Sequence, residues 1–379
     1  MSSSFKKKNL LKYIESSVEG YIDAFIDPIG EKIKTSFQSL SYKISSKLED
    51  DVDIDALFDG VETPVVDGKE VIVRVQNLSK VFNSKPELGL ELVKEGWSKQ
   101  RLLEEANMTL GLYDINFDVY KGELFILMGL SGSGKSTLER CLNRLVDPTE
   151  GSILIEGLDI TKLNKAELIE VRRKKMGMVF QNFALLPHRT VLENVGFGLE
   201  IQGKDHETYT NNVQEAIANV GLKGYEDVYP SGLSGGMKQR VGLARALASN
   251  PDILLMDEAF SALDPLIRKD MQDELIQLRK KMGKTIIFVT HDLDEALKLG
   301  DRIALMNDGV IVQIGTPMEI VNNPVDDYVD RFVQNVNAER VEELTRKDAK
   351  KKADAEKRKK LKELIKKKPK TTPPKEGVL

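Results

Sequence analysis

The stretch GLSGSGKST, Gly129 to Thr137, matches the spacing G-x-x-x-x-G-K-[ST]. It follows the apolar run ELFILM and opens the helical pattern STLERCLNRLV. Phosphate chemistry needs that context. Gly132 and Gly134 let backbone N–H groups curl around phosphate oxygens without Cβ clashes, and the helix N-terminus adds positive potential. Lys135 is spaced to reach β- and γ-phosphates, and the Ser136 hydroxyl to ligate Mg²⁺. The motif implies a nucleoside triphosphate site.

Two further clusters extend that chemistry. In ILLMDE, Ile253 to Glu258, four apolar residues read as a buried strand ending in two carboxylates. Asp257 would hold Mg²⁺ through its coordination shell, and Glu258 would polarise an attacking water. Upstream, LSGGMKQR (Leu233 to Arg240) leads into the helical VGLARALAS. Ser234, Gly235 and Gly236 at a helix start make a second anion-binding terminus. One phosphate loop already serves one nucleotide, so the second terminus is best used on a nucleotide held by another subunit.

The elements that must position these groups fall into three zones. Residues 1–69 read as two amphipathic helices, with Leu11, Ile14, Val18, Ile22 and Phe25 on one face and Ile33, Phe37, Leu40, Ile44 and Leu48 on the other helix's face. An acidic linker follows them. Residues 70–336 alternate helical stretches with the strand-like runs EVIVRVQNLS, LYDINFDVY, ELFILMG, MGMVFQ, DILLMDE, TIIFVTHD, RIALMND and VIVQIGT. Asp308-Gly309 between the last two predicts a tight hairpin. The pattern is α/β with a largely buried sheet. Residues 337–379 lose their hydrophobics, carrying 15 Lys/Arg against 7 Asp/Glu over 339–370 before a Pro-rich end. That tail reads as a charged, partly helical to disordered extension.

Composition narrows the classes. A net charge of −4 gives no global push toward nucleic acid. The single cysteine, Cys141, cannot form an internal disulfide, which suits a reducing compartment. The first twenty residues lack an uninterrupted apolar stretch, so they do not read as a secretory signal. No run approaches the roughly 18 apolar residues that span a bilayer.

Together the motifs resemble the ATP-binding cassette (ABC) family: phosphate loop, LSGG signature, Asp257-Glu258, SALD at Ser261 to Asp264, and THD around His291, in order over roughly residues 70–336. The resemblance implies an ABC-type P-loop NTPase cassette with a mixed core sheet, an antiparallel β subdomain and a helical subdomain at about 182–245. It implies ATP and Mg²⁺ as cofactors, and a second copy of the chain that closes an ATP sandwich. By position, Phe82 would stack on adenine, and Gly129, Ser131, Gly132, Ser133, Gly134, Lys135, Ser136 and Thr137 would surround the phosphates. Leu233, Ser234, Gly235, Gly236 and Gln239 would face the partner's ATP. Gln181, in MVFQNFALLPH, would sense Mg²⁺ and the attacking water. His291 would contact the γ-phosphate and orient the base Glu258, and Asp264 would cross the dimer interface. Ser136, Gln181 and Asp257 would be the Mg²⁺ ligands.

Within that family the stretches KPELGLELVKEGWSKQ, GLSGSGKSTLERCLNRLVDPTEGSILIEG and DILLMDEAFSALDPLIRKDMQDEL resemble the ATPase subunits of proline/glycine-betaine importers. That implies two integral-membrane permease subunits, an extracytoplasmic substrate-binding protein, and a peripheral location on the cytoplasmic side of the cell membrane. The chain departs from that pattern in having no room after residue 338 for paired CBS modules. The basic tail is then read as a possible tether to anionic lipid, screened by salt, with no fold motif for nucleic acid. An amino-acid importer's ATPase, or less favoured a non-transport ABC ATPase, remain as alternatives. The insert Ser84 to Asp114 reads as two helices. Pro86 stands in the first turn of one, Gly96 stops it, and Ser98 caps the next with Trp97 and Leu102 as a hydrophobic staple.

Overall fold

The computed structural model describes residues 53–334 except Asp205, with Glu342, Thr345, Arg346 and Ala349 beyond. The amphipathic helices expected before residue 52 and nearly all of the basic tail lie outside the described residues. The chain divides into two compact units, residues 1–57 with 164–170, and residues 58–163 with 171–379. In the first unit, Asn164 and Glu167 cap a helix reciprocally. The Asn164 Oδ1 accepts from the Ala166 and Glu167 N–H groups, and the Glu167 carboxylate accepts from the Asn164 N–H at 2.8 Å.

The second unit carries two sheets. The strands in chain order are β1 (Val65–Val66), β2 (Lys69–Phe82), β3 (Thr109–Tyr120) and β4 (Leu124–Gly129). They continue with β5 (Glu150–Ile155), β6 (Leu158–Asp159), β7 (Met176–Val179) and β8 (Ile253–Asp257). The last are β9 (Thr285–Thr290), β10 (Arg302–Asn307) and β11 (Val310–Gly315). The central sheet has the order β11-β10-β4-β9-β8-β7, parallel except for the β10–β11 pair. Every residue of β4 and β9 is buried. This is why those runs are continuously apolar instead of alternating. Asp308 and Gly309 turn β10 into β11 with φ of +47° and +85°, the two positive values that a two-residue hairpin matching strand twist demands.

The other sheet is antiparallel, with β2 paired to β1, β3 and β5. Its β5 was not among the expected strands, because a six-residue run beginning Glu-Gly-Ser has little alternation to announce it. The sheet also begins earlier than residue 70: Val66 pairs with Lys69, and a short helix α1 (Ile54–Phe58) occupies part of the stretch read as linker. The Phe117 ring of β3 stacks on Phe125 of β4 at 5.1 Å.

Between β2 and β3 the insert forms α2 (Pro86–Lys94) and α3 (Lys99–Ala106). Pro86 occupies the first turn, and Gly96 takes φ +98° after the helix ends. The Ser98 hydroxyl accepts from the Arg101 N–H at 3.1 Å. Trp97 packs on the cluster of Val81, Leu90, Leu102, Met108 and Leu110, with the Arg101 guanidinium 3.9 Å over its ring. The tryptophan is a staple.

The remaining helices are α4 (Lys135–Leu142), α5 (Lys165–Lys175), α6 (Val191–Ile201), α7 (His206–Asn219) and α8 (Gly235–Ala248). After them come α9 (Pro265–Met282), α10 (Leu293–Leu299), α11 (Pro317–Asn322) and α12 (Asp327–Val333). Helices α6, α7 and α8 pack on one another, and their apolar faces join the core of the central sheet. Buried Asn194 of α6 fastens the preceding loop. Its amide donates to the carbonyls of Leu186, Arg189 and Thr190 and accepts from the Leu186 N–H at 2.8 Å. Among the described residues no helix is long and apolar enough to cross a membrane.

Candidate functional site

Strand β4 delivers the chain into the loop at Gly129, where backbone crowding excludes a side chain. A Cβ there would lie 2.3 Å from the Met306 carbonyl oxygen. The loop is braced from outside by the Asp308-Gly309 hairpin. The Gly309 N–H donates to the Ser133 carbonyl at 3.0 Å, and the Gly309 carbonyl accepts from the Tyr113 N–H at 2.9 Å. Gly134, at φ +103°, passes so close to this brace that a Cβ would meet the Gly111 carbonyl oxygen at 2.9 Å.

Lys135 turns its ammonium inward, donating to the carbonyls of Gly129 at 2.8 Å and Leu130 at 2.9 Å. Burial lowers its pKa, and the charges of Glu258 and Asp257 oppose that shift. Ser131 and Ser136 are exposed, and Thr137 is half-buried, at the opening of α4. The Ser133 hydroxyl is buried with no hydrogen-bond partner. Phe82, at the end of β2, flanks Gly111. A Cβ on that glycine would stand 2.8 Å from the Phe82 ring and 3.3 Å from the Thr137 methyl. An exposed aromatic face therefore lies near the helix start, with Lys80 over its ring at 5.2 Å.

At the end of β8, burial first and Glu258 second raise the pKa of Asp257. Glu258 has φ +42° and donates its N–H to the Val289 carbonyl at 3.0 Å. Its carboxylate lies 3.1 Å from His291 Nδ1 and accepts from Gln181 Nε2 at 3.3 Å. Gln181 also donates to the Ser261 hydroxyl at 3.1 Å, which in turn donates to the Glu258 carbonyl at 2.9 Å. The extended run expected to reach Gln181 stops at Val179, and that early end leaves the amide free to swing onto Glu258. Two residues far apart in sequence, Gln181 and His291, thus converge on the Glu258 carboxylate.

Residues 112–261 match the family described as ABC transporter. The glycine betaine transport ATP-binding protein OpuAA of Bacillus subtilis (strain 168) is 57% identical over 276 residues, which are 73% of this chain and 66% of that protein. The glycine betaine/carnitine transport ATP-binding protein GbuA of Listeria monocytogenes serotype 1/2a (strain 10403S) is 58% identical over 71% of this chain and 68% of its own length. A solved dimeric ATP-binding cassette, in a post-hydrolysis state bound to ADP and Pi, superposes with a TM-score of 0.54 at 32% identity, over 65% of this chain and 98% of that one. The chain belongs to the ABC transporter ATP-binding family. It spans about two thirds of the length of the curated relatives it matches.

The cassette's signature lies apart from the cluster just described. Ser234 caps α8, accepting from the Met237 N–H at 3.3 Å, and Ser234 and Gly235 are exposed. Gly236 faces α9, where a Cβ would meet Ile267 at 2.7 Å. Leu233 is buried. Asp264, at the start of α9, is exposed and makes no side-chain cap bond. Among the described residues no hydrogen bond or ion pair joins the signature to the phosphate loop of the same cassette. Gln239 departs from its expected place. It is 1% exposed, with both amide atoms buried and unpartnered, so it faces the interior instead of a nucleotide outside. Spacing explains this, because Gln239 shares a helical face with buried Gly242, Leu243 and Ala246.

One cassette residue escaped the motif reading. Glu139 on α4 is 1% exposed, and its carboxyl group has no donor to bond and faces the carboxyl group of Asp257. Burial first, then the neighbouring Asp257 charge, push its pKa up to about 8. Its position one turn after Lys135, beside Leu138 and Leu142 on the buried face, was the available signal.

Proposed function

We propose that this chain is the ATP-hydrolysing subunit that powers import of glycine-betaine-type quaternary amines through partner membrane subunits. The convergence of Gln181 and His291 on Glu258, beside the Lys135 loop, carries the hydrolytic part of the reading. Identities of 57% and 58% to betaine transport ATP-binding proteins support the cargo.

The residues divide the reaction among them. Phe82 offers an aromatic face to adenine, and the N–H groups of the loop cradle the phosphates. Glu258 takes the proton of the attacking water as its oxygen bonds to the γ-phosphorus and the bond to the β-phosphate oxygen breaks, giving ADP and phosphate. His291 and Gln181 hold the Glu258 carboxylate in line, and Lys135 meets the charge on the transferred group. Mg²⁺ fits the hard oxygen donors available, the Ser136 hydroxyl, the Asp257 carboxylate and the Gln181 amide oxygen. Among the described residues no cluster of three His, Cys, Asp or Glu side chains stands ready for a metal, which suits a cation held in part by phosphate oxygens. When bound, it supplies charge neutralisation at the phosphates. A second copy contributes Ser234, Gly235 and Gly236 across the sandwich, with Asp264 at the seam. Closure pulls the helical subdomains together and switches the permease, which places the chain peripherally at the cytoplasmic face.

Glu258→Gln tests this. The variant should bind ATP, dimerise with it on a sizing column, and lose at least ~100-fold in turnover. Wild-type hydrolysis would remove Glu258 as the base. In proteoliposomes with the permease and binding protein, ATPase stimulation by glycine betaine supports the cargo, and stimulation by an amino acid alone overturns it.

A further inference from the structure

Directly after Gln181 the backbone adopts a conformation its residue types disfavour. Phe183 and Ala184 have φ of +57° and +49°, and the Ala184 N–H donates to the Asn182 carbonyl at 2.5 Å. A bond between residues two apart around a left-handed centre makes a rare, strained three-residue turn. A Cβ-bearing residue in that region crowds its own following carbonyl and is strained. Neither Phe nor Ala has a polar side chain to bond locally, as Asn or Asp would. An outside group must hold the turn.

Arg245 is that group. It lies on α8, three residues before the helix ends. Its guanidinium donates from Nη1 to the Ala184 carbonyl at 2.5 Å and from Nη2 to the Phe183 carbonyl at 3.0 Å. The planar fork matches two successive carbonyls, which a lysine ammonium does not. Burial lowers its pKa, and no acidic neighbour opposes that shift. The helix backbone itself runs against the turn, since a Cβ at Gly242 would stand 3.5 Å from the Phe183 carbonyl oxygen. The signature lies at the other end of this 14-residue helix, about 15 Å from Arg245 at ~1.5 Å per residue.

We propose that Arg245 is a positioning residue that ties the aim of Gln181 on Glu258 to the placement of the signature end of α8. The helix acts as a rod. Its N-terminus meets the nucleotide of a second copy, and its far end sets the turn that follows Gln181. Assembly of one nucleotide site thereby reports to the hydrolytic cluster of the other. This rests on the reading of Gln181 and Glu258 as the hydrolytic pair.

The test uses the purified full-length chain and measures ATPase kcat, KM, Hill coefficient and thermal midpoint. Arg245→Met should lower kcat about 10-fold, the scale of a small misplacement of a catalytic group, with KM within ~2-fold and a Hill coefficient falling toward 1. Arg245→Lys should recover part of kcat. Ala184→Gly removes the left-handed penalty, so Arg245→Met combined with it should cost less than ~3-fold, a non-additivity that marks a shared element. The proposal is overturned by unchanged kcat and Hill coefficient in Arg245→Met, by a rise in KM alone, or by equal kcat losses with and without Ala184→Gly. If Arg245→Met does not fold, Arg245→Lys with and without Ala184→Gly reads the same non-additivity. Full hydrolysis by Glu258→Gln would instead sink the underlying site assignment, whatever Arg245 does.

Discussion

The phosphate loop and the signature are both glycine-rich helix starts, yet they are built in opposite ways. At the loop, Ser133 is 3% and Lys135 6% exposed, and a hairpin from the far end of the domain braces the backbone. At the signature, Ser234 and Gly235 are exposed, Asp264 is exposed, and Leu266 beside it is 77% exposed. The first helix start is preorganised by its own chain. The second keeps its groups in water, where another molecule can complete them. On the proposed function, preorganisation goes where the chain acts alone, and open surface where a second copy would meet it.

That contrast can be broken by experiment. Lys135→Ala should cost ATP affinity and turnover at least ~100-fold each, read by calorimetric titration and phosphate release. Ser234→Arg should also drop turnover about 100-fold through charge and bulk at the open helix start, but leave ATP affinity within ~3-fold. Equal loss of affinity in both variants would erase the distinction. Gly309→Val attacks the brace. With φ at +85° and a Cβ only 2.8 Å from the Gly111 carbonyl, it should destabilise by about 3 kcal/mol in denaturant titration, and weaken ATP binding while sparing the signature.

Glu139 supplies a pH test of the loop side. Its folded pKa of about 8 lies above the ordinary carboxylate value, so the folded chain keeps a proton that the unfolded chain releases. Its contribution to stability is fully present below pH ~4.5 and declines by up to about 1.4 kcal/mol per pH unit until the pH passes the folded value. Glu139→Gln should flatten that decline in denaturant midpoints taken from pH 5 to 8.5. The smallest effect expected is at the insert, where Ser98→Ala should cost about 1 kcal/mol without changing ATPase rate.

Features legible in the sequence were those whose geometry is local. Strand, loop and helix around Gly129 to Thr137 follow from consecutive residues, and the hairpin from Asp308-Gly309 alone. The staple of Trp97 and Leu102 was visible because capping acts over four residues. Features that escaped depend on what another segment brings. Nothing near Glu139 in sequence announces Asp257, and nothing near Gln181 announces Arg245. Gln239 misled because its motif neighbours suggested the outside of α8, while its spacing to Leu243 and Ala246 pointed inward.

Cys141 has a practical consequence. It is the chain's one cysteine, fully buried, with its thiol pushed up to about 12 by burial, so it stays unreactive toward maleimides while folded. The native chain is thus a ready background for spectroscopic labelling. A Leu266→Cys reporter at the exposed end of α9 could be tagged selectively, and on the proposed function its distance to the same tag on a second copy would change as ATP is bound and hydrolysed.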